Sequence, residues 1–377
     1  MKILIVHNSY RVYGGEDTVV AQEMDAYKQL GYEVELFELS NSKLSAFDLL
    51  FCLFNPRSYR ELRRAIREFQ PHLVQLHNFV FKLSPAVFYA VPKSIPLIQT
   101  IHNYRYMCPS GTLFYKGKVN KDYRTFRGRL RNISRGVYRD SALETLLMEA
   151  LYQVHYLLGS FKRVNRFVFL TDFAQKIHVD YKPLFQRAKV KPNFLMHSPE
   201  PVGRNEKDID LFFAGRITEE KGLMDVLAVL TKHTELTIVL VGGGGMEEEL
   251  RKQVDLISHI DYKGKLSREE TMRLMARSKF TLFPSIWYEG MPMTIIEAMS
   301  LKSPVICRDL GAMSTMIQHG RNGLKYGNTE ELDQLLSELK QQDVQALAEN
   351  GFGDYQNLYS KEKGIENIKY LVNEVVG

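Results

Sequence analysis

The sequence contains little cysteine, and the spacing of what it has does not suggest pairing. Only three cysteines occur among 377 residues, Cys52, Cys108 and Cys307, and no CxxC spacing is present. An odd, scattered set of cysteines argues against a disulfide framework and against a structural zinc site. We therefore expect a protein of a reducing, cytoplasmic compartment.

Long hydrophobic runs are also missing. The apolar run at the start of the chain is ended by His7 and Asn8, which makes it too short for a signal peptide or a membrane span. Hydrophobic residues make up 45% and charged residues 25% of the sequence, and no low-complexity tract occurs. These values are typical of globular proteins, and the length predicts two domains.

Negative charge is nearly absent from one segment, residues 104–139, although the net charge of the whole chain is only +6. This segment has ten Lys or Arg and a single acid, Asp122, with aromatic residues between the cations. Such a composition is typical of a surface that binds anionic lipid. An anionic acceptor, or a solvated basic loop without a partner, fits the composition too, and nucleic acid is not the expected partner.

Short apolar runs alternate with helical stretches along the chain. This alternation predicts an α/β fold with two doubly wound, Rossmann-like parallel sheets. A polar stretch at residues 198–207 reads as a linker, so we predict domains at residues 1–200 and 201–360. In such sheets ligands bind at the carboxyl ends of the strands, so the loops that follow the apolar runs are the places to search.

Two glutamates flank the start of a predicted helix in the second half. Glu289 lies just before that helix and Glu297 about one turn inside it, with Gly290 and Pro292 between them. Free N–H groups and the helix dipole favour a phosphate there, while the carboxylates could accept sugar and ribose hydroxyls. Two unrelated acids at a helix start would give the same spacing.

A second loop carries two cations, Arg216 and Lys221, and follows another apolar run. Both could converge on a diphosphate, Arg216 as a planar fork and Lys221 as a point charge. They could equally well pair with Glu219 and Glu220 on the surface.

Asp208 and Asp210 form a DxD, a pattern that holds metal in some glycosyltransferases, but it precedes a strand, so we expect neither metal nor cofactor.

Other signals in the second half are weaker, and one familiar signal is missing from the first. Four glycines, Gly242–Gly245, follow an apolar run and could form a wall of a nucleotide pocket, and the loop of residues 262–266 could offer backbone groups to a base. No GxGxxG follows the first apolar run, residues 3–6, which disfavours an NAD-dependent enzyme.

Taken together and in order, these motifs resemble glycosyltransferase family 4. The resemblance spans nearly the whole chain and is strongest over residues 209–327. It implies the GT-B fold, with the donor bound mainly to the second domain and the acceptor to the first. It also implies that a helix from about residue 361 packs back on the first domain, and that transfer retains the anomeric configuration without a metal.

The resemblance also implies a role for each matching residue. Glu289 would contact the sugar, Glu297 the ribose, and Arg216 with Lys221 the diphosphate, while His102 matches a histidine near the transferred sugar. The remaining donor-binding residues that the resemblance implies are Gly14, Gly15, Gly215, Gly243, Gly244, Lys265, Leu266, Gly290, Met291, Met293 and Thr294. A plain strand-end histidine bonded to backbone is the alternative for His102.

The predicted function is transfer of a hexose-type sugar from a nucleotide diphosphate sugar to a lipid-linked or growing glycan in bacterial capsule, exopolysaccharide or lipopolysaccharide synthesis. We expect it at the inner face of the plasma membrane. The alternatives are a sugar-nucleotide epimerase or phosphorylase of similar fold, and a non-catalytic module that binds nucleotide sugars or nucleic acid. Nothing in the sequence separates UDP, GDP, ADP and dTDP donors.

Overall fold

The computed structural model describes residues 1–9, 14–42 and 45–377. The chain folds into two compact units. The first unit comprises residues 1–113, 120–196 and 361–377, and the second comprises residues 114–119 and 197–360. The main division at His197 lies just before the stretch that the sequence marks as a linker.

Strands alternate with helices in both units. The strands are β1 (Lys2–Ser9), β2 (Glu33–Ser40), β3 (Leu73–Leu76), β4 (Leu97–Ile101), β5 (Phe114–Tyr115), β6 (Lys118–Val119), β7 (Arg166–Phe169), β8 (Lys189–Val190), β9 (Ile209–Ala214), β10 (Ile238–Val241), β11 (Ile260–Tyr262), β12 (Ser278–Phe283), β13 (Val305–Arg308) and β14 (Gly323–Tyr326). The helices are α1 (Gly15–Gln29), α2 (Ala46–Leu50), α3 (Pro56–Phe69), α4 (Ala86–Ala90), α5 (Phe126–Arg135), α6 (Ala142–Leu157), α7 (Asp172–Tyr181), α8 (Leu223–Leu230), α9 (Glu247–Val254), α10 (Arg268–Ala276), α11 (Met293–Ser300), α12 (Gly311–Met316), α13 (Thr329–Ser337), α14 (Val344–Leu358) and α15 (Lys361–Val376).

Each unit is built on a parallel sheet. The first sheet has the order β2-β1-β3-β4-β7-β8, and the second has the order β11-β10-β9-β12-β13-β14. The pairs described within these two sheets are parallel, and the strands at their centres are largely buried. The predicted α/β architecture is therefore confirmed, including its doubly wound connections.

The order of the strands reverses direction once in each sheet. In the first sheet the reversal lies between β1 and β3, and in the second between β9 and β12. Loops that follow the two strands at such a point leave in opposite directions and open a crevice at the carboxyl edge. The topology therefore marks one candidate ligand site in each unit.

Several helices begin where a side chain accepts a hydrogen bond from a free N–H group of the first turn. Ser267 accepts from the Glu270 N–H while the Glu270 carboxylate accepts from the Ser267 N–H, which forms a capping box at the start of α10. Thr171 caps α7 in a similar way by accepting from the Ala174 N–H. These caps fix the positions at which the chain enters helices after strands and loops.

The segment of residues 104–139 does not form one exposed loop. Tyr106, Tyr123 and Tyr138 are buried. The prediction that these aromatic side chains could lie among lipid headgroups is therefore wrong, because they pack in the interior. Phe126, at the start of α5, is 68% exposed. Over the residues with a described structure, no helix combines the length and apolar character needed to span a bilayer.

The last helix, α15, belongs to the first unit and completes its core. Ile368, Leu371 and Val372 join a buried cluster with residues of β1, β3 and β4. Gly364 faces the Phe194 ring so closely that an added Cβ would lie 2.1 Å from Cγ of that ring. A glycine is therefore required at this position for α15 to pack.

We expect Gly364→Ala to destabilise the protein by about 2 kcal/mol, because the buried Phe194 ring must shift to admit a methyl group. Gly353→Ala is the matched control, since it also lies inside a helix but has no atom within 4 Å of an added Cβ. That control should stabilise by about 0.5–1 kcal/mol through helix propensity. Urea denaturation measures both changes, and equal effects of the two substitutions would contradict the packing argument.

Candidate functional site

The loops after β9 and β12 are joined by a buried ion pair. The Lys221 ammonium donates to Oε1 of Glu289 at 2.7 Å, and the Ser285 hydroxyl donates to the same oxygen at 2.7 Å. Glu289 is only 7% exposed. Since β9 and β12 flank the reversal of strand order, this pair lies in the crevice that the topology marks.

The environment of Glu289 keeps it ionised. Burial alone would raise the pKa of its carboxyl group, but the Lys221 ammonium and the Ser285 hydroxyl outweigh that effect, and the pKa lies below its usual range. The Lys221 ammonium also lies 5.5 Å from the ring centroids of Phe283 and Trp287. A carboxylate fixed in this way can accept hydrogen bonds from hydroxyl groups of a ligand.

Glu297 has a partner that the sequence did not reveal. On α11, its Oε1 accepts from the guanidinium of Arg268 at 2.8 Å. Burial raises the pKa of the Glu297 carboxyl above its usual value, and Arg268 offsets part of this rise. Arg268 is the first residue of α10 and is half-exposed, so the pair borders solvent. Nothing in the local sequence around Arg268 indicated this contact.

Arg216 does not join Lys221. Its guanidinium lies 3.0 Å from the Glu220 carboxylate, and its side chain is 60% exposed. Arg216 therefore forms a surface ion pair with Glu220, which is the alternative that the sequence left open, whereas Lys221 pairs with Glu289. A side chain with this exposure has room to change rotamer towards a bound anion, because an ion pair near the surface holds it weakly.

The glycine-rich turn after β10 packs against the loop after β9. Gly242 has φ +146°, and an added Cβ would lie 1.7 Å from the Gly215 carbonyl oxygen. At Gly244 an added Cβ would lie 2.4 Å from the Ile217 carbonyl oxygen. Close backbone packing therefore explains these two glycines. Gly243 joins the two loops through its backbone, because its carbonyl accepts from the Ile217 N–H at 3.1 Å.

The remaining donor-loop residues lie around the same edge. The Gly264 carbonyl accepts from the Gly242 N–H at 2.9 Å, which places the loop containing Lys265 and Leu266 beside the glycine turn. Lys265 is exposed and Leu266 is half-buried. This arrangement brings Lys265 close to Gly243, where an added Cβ would lie 3.7 Å from the lysine Cβ.

Helix α11 begins at Met293. It would begin one residue earlier if Pro292 occupied the first helical position. Pro292 is the N-cap instead, and Thr294 is the second residue of the helix. The first N–H groups of a helix have no partner within it, so those of Met293 and Thr294 are available for an anion. Gly290 is half-buried and the Met291 side chain is buried, which leaves their backbone as the part that could meet a ligand.

His102, Gly14 and Gly15 belong to the first unit. His102 follows β4, and its Nε2 lies 2.8 Å from Nδ1 of His77. Gly14 donates its N–H to Asp17 at 2.8 Å at the start of α1, and an added Cβ at Gly15 would meet nothing within 4 Å. The open space at Gly15 is compatible with a ligand close to the backbone.

The DxD lies at the opposite edge of the second sheet. Asp208 pairs with Arg277, and Asp210 accepts from Lys279 at 2.8 Å and from the Thr237 N–H at 2.9 Å. Both carboxylates are thus engaged at the start of β9. Among the residues whose structure is described, no three His, Cys, Asp or Glu side chains converge in a metal-binding arrangement.

Comparison with known proteins matches both halves of the chain. A model described as Glycosyltransferase Family 4 matches residues 13–194, and one described as Glycosyl transferases group 1 matches residues 197–351. The O-antigen biosynthesis glycosyltransferase WbnH of Escherichia coli is 28% identical over 44% of this chain and 50% of its own length. The chain spans about half the length of the curated relatives that it matches.

Solved structures with the same fold cover the whole chain. Sucrose-phosphate synthase from Thermosynechococcus elongatus aligns with a TM-score of 0.73 and 14% identity, over 99% of this chain and 98% of that one. HepE of Anabaena, solved in complex with UDP, aligns with a TM-score of 0.68 and 15% identity, over 99% and 100%. At this identity the likeness concerns the fold, and the fold is GT-B.

We expect Lys221→Met to destabilise the protein by about 3–5 kcal/mol at neutral pH, because it leaves a buried carboxylate without its cation. In the native protein the pKa of Glu289 is lower than its unfolded-state pKa near 4.5. The ionised carboxylate therefore stabilises the fold above pH 4.5, and this contribution is lost as the pH falls through the folded-state pKa. In the variant, burial raises the folded-state pKa, so the loss of stability should shrink as the pH falls towards 4.5.

Urea denaturation between pH 5 and pH 8 measures this dependence. The double variant Lys221→Met with Glu289→Gln is the matched control, since it removes both charges and should regain most of the stability. A loss of stability in Lys221→Met that is the same at every pH would contradict the proposed role of the ion pair.

Proposed function

Because this chain belongs to glycosyltransferase family 4, we propose that it transfers a hexose-type sugar from a nucleoside diphosphate sugar to a lipid-linked or growing glycan acceptor. The single observation that carries the proposal is the buried Lys221–Glu289 pair at the strand-order reversal of the second sheet. A buried, ionised carboxylate held by a lysine has little value for stability alone and is typical of a functional site.

The donor fits the carboxyl edge of the second sheet by its chemistry. The Glu289 carboxylate accepts sugar hydroxyls, the start of α11 offers N–H groups to phosphate, and the free oxygen of Glu297 accepts a ribose hydroxyl. Lys221 and Arg216 supply positive charge for the diphosphate. HepE of Anabaena, which shares the fold, was solved in complex with UDP, which supports a nucleotide-sugar donor.

The reaction that suits these groups retains the configuration of the sugar. The bond between the anomeric carbon and the diphosphate breaks, the acceptor oxygen bonds to the same face, and the acceptor proton passes to the departing phosphate oxygen. Cations in place of a metal stabilise the charge that develops on the diphosphate. The role of the protein is then to position both substrates and to neutralise this charge.

A role in surface-glycan synthesis at the cytoplasmic face of the membrane completes the proposal. WbnH of Escherichia coli is an O-antigen biosynthesis enzyme, and it is similar over part of the chain. In the first unit, α6 carries an exposed row of apolar side chains, Leu143, Leu146, Val154 and Leu157. Helix α5 packs against α6 and adds exposed Phe126 among several arginines. Apolar and cationic groups side by side suit an anionic bilayer surface.

A thermal-shift screen of nucleoside diphosphate sugars in the presence of EDTA tests the donor site. We expect at least one sugar nucleotide to raise the melting temperature without metal, and Glu289→Ala to abolish that shift, because the variant loses the acceptor of the sugar hydroxyls. Glu269→Ala, which changes an exposed acid on α10, is the matched control and should keep the shift.

Incubation of the bound sugar nucleotide with and without glycan or lipid-linked acceptors then distinguishes the reactions. Consumption only with an acceptor supports transfer. Turnover without an acceptor would indicate an epimerase or phosphorylase, and binding without any turnover would indicate a non-catalytic module. Either of these results would overturn the proposal.

Sedimentation with vesicles that contain anionic lipid tests the membrane surface. We expect the protein to bind such vesicles at low salt, and Phe126→Ser with Leu157→Ser to weaken binding roughly a hundredfold or more, because each inserted apolar side chain contributes about 1.5–3 kcal/mol. Leu256→Ser is the matched control, since Leu256 is 98% exposed in the second unit. Equal binding by the double variant and the wild type would rule out this surface.

A further inference from the structure

Three histidines lie side by side at the carboxyl edge of the first sheet. His7 is in β1, His77 follows β3, and His102 follows β4, so the row crosses the point where the strand order reverses. The His77 ring is edge-on to His7, with centroids 6.1 Å apart, and nearly coplanar with His102, with an interplanar angle of 23° and centroids 5.1 Å apart. Neighbouring strands of the sheet thus hold the rings in fixed positions.

A buried ion pair lies behind this row. The Glu23 side chain of α1 is fully buried, and one of its oxygens accepts from the ammonium of Lys191, which follows β8. The other oxygen, Oε2, accepts from the side-chain amide of Gln75 in β3 and lies 3.6 Å from Nε2 of His77. The carboxylate is therefore fixed, with one oxygen facing the His77 ring.

Both rings of the His77–His102 pair are neutral at physiological pH. Burial, together with the adjacent His7 ring and the Lys191 ammonium, lowers the pKa of His77 well below its ordinary value. Burial and the adjacent His77 ring lower the pKa of His102 in the same way, although Glu23 acts in the opposite direction. Each ring therefore carries one proton, and the hydrogen bond between them couples the two proton positions, because one ring must donate and the other accept.

The carboxylate decides the direction of that hydrogen bond. A lone pair on His77 Nε2 would face the negative Glu23 oxygen, whereas an N–H there is attracted to it. With the proton on Nε2, His77 Nδ1 accepts from the Nε2–H of His102 across 2.8 Å. The remaining nitrogen of His102, Nδ1, then has a lone pair and can only accept.

His102 lines a small cavity in the first unit. The cavity has a volume of about 20 Å³, and Glu16, Asn103 and Arg105 line it together with the histidine. A space of this size holds about one water molecule, and a hydroxyl group needs a similar volume. A site for a single hydroxyl, beside a ring that can only accept a hydrogen bond, suits a polyhydroxylated ligand.

We propose that Glu23 and His77 are positioning residues that hold His102 in the Nε2–H tautomer, so that its Nδ1 accepts a hydrogen bond from a substrate hydroxyl. The identification of this hydroxyl as one belonging to a sugar rests on the proposed function. The tautomer itself rests on the geometry of the free protein. In this scheme Glu23 acts on His77, and His77 in turn sets the proton positions of His102.

Long-range proton–nitrogen NMR of the full-length protein, labelled at its ten histidines, reads the tautomer directly. The signals of His102 are those that disappear in His102→Gln. At pH 7 we expect Nε2 protonated and Nδ1 unprotonated. A protonated Nδ1, whether in the other tautomer or in an imidazolium, would overturn the inference.

A variant tests whether Glu23 is the cause. Glu23→Met with Lys191→Met removes both buried charges, and we expect His102 to become a mixture of tautomers because nothing then orients His77. Asp17→Asn is the matched control, since it alters the acid that contacts His7 at 2.9 Å and should leave His102 unchanged. An unchanged Nε2–H tautomer in the double variant would exclude Glu23 from this role.

If the double variant does not fold, His77→Phe provides a second test, because it removes the hydrogen-bond partner of His102 directly. This variant should also show a mixture of tautomers. A pure Nε2–H form of His102 in it would overturn the inference. Because the spectra need no substrate, the outcomes separate. The expected tautomer without any sugar transfer would contradict only the proposed function, and the opposite tautomer with sugar transfer would contradict only this inference.

Discussion

Parallel strands bring all their carboxyl ends to one edge of a sheet, and both candidate sites of this protein depend on that constraint. Where the strand order reverses, the two adjacent loops separate and leave a crevice. In the second unit, Lys221 and Glu289 meet at that point from loops that are distant in sequence. In the first unit, His7 and His77 are in contact across the equivalent point. The topology, more than any single motif, determines where the polar chemistry of the chain is placed.

Both sites contain a buried ion pair. Replacing a buried ion pair by apolar side chains of similar size is often neutral or stabilising by about 1–4 kcal/mol. The Lys221–Glu289 pair lies at the carboxyl edge of its sheet, and the Lys191–Glu23 pair is bonded to the buried Gln75 side chain of β3. We therefore propose that the charges buried at these positions serve ligand binding.

The sequence predicted the parts of the structure that depend on local patterns. Alternating apolar runs and helical stretches were enough to give the α/β architecture, and the positions of Lys221 and Glu289 after apolar runs placed them at one edge. The partners of other residues depend on tertiary contacts that no local pattern carries. Arg268 meets Glu297 from another helix, Arg216 turns to Glu220, and Gly242 and Gly244 are required by backbone packing. The link between His102 and Glu23 through His77 likewise appears only when β3, β4 and α1 are assembled.

The second unit also contains a cavity that is an alternative position for a bound sugar nucleotide. It has a volume of about 370 Å³ and lies at the amino edge, lined by Lys207, Asp210 and Lys279 among others. Hydrogen exchange measured by mass spectrometry, with and without a bound sugar nucleotide, distinguishes the two edges. Our account predicts protection of the loops of residues 215–222 and 285–294. Protection confined to the amino edge, or none in the second unit, would contradict it.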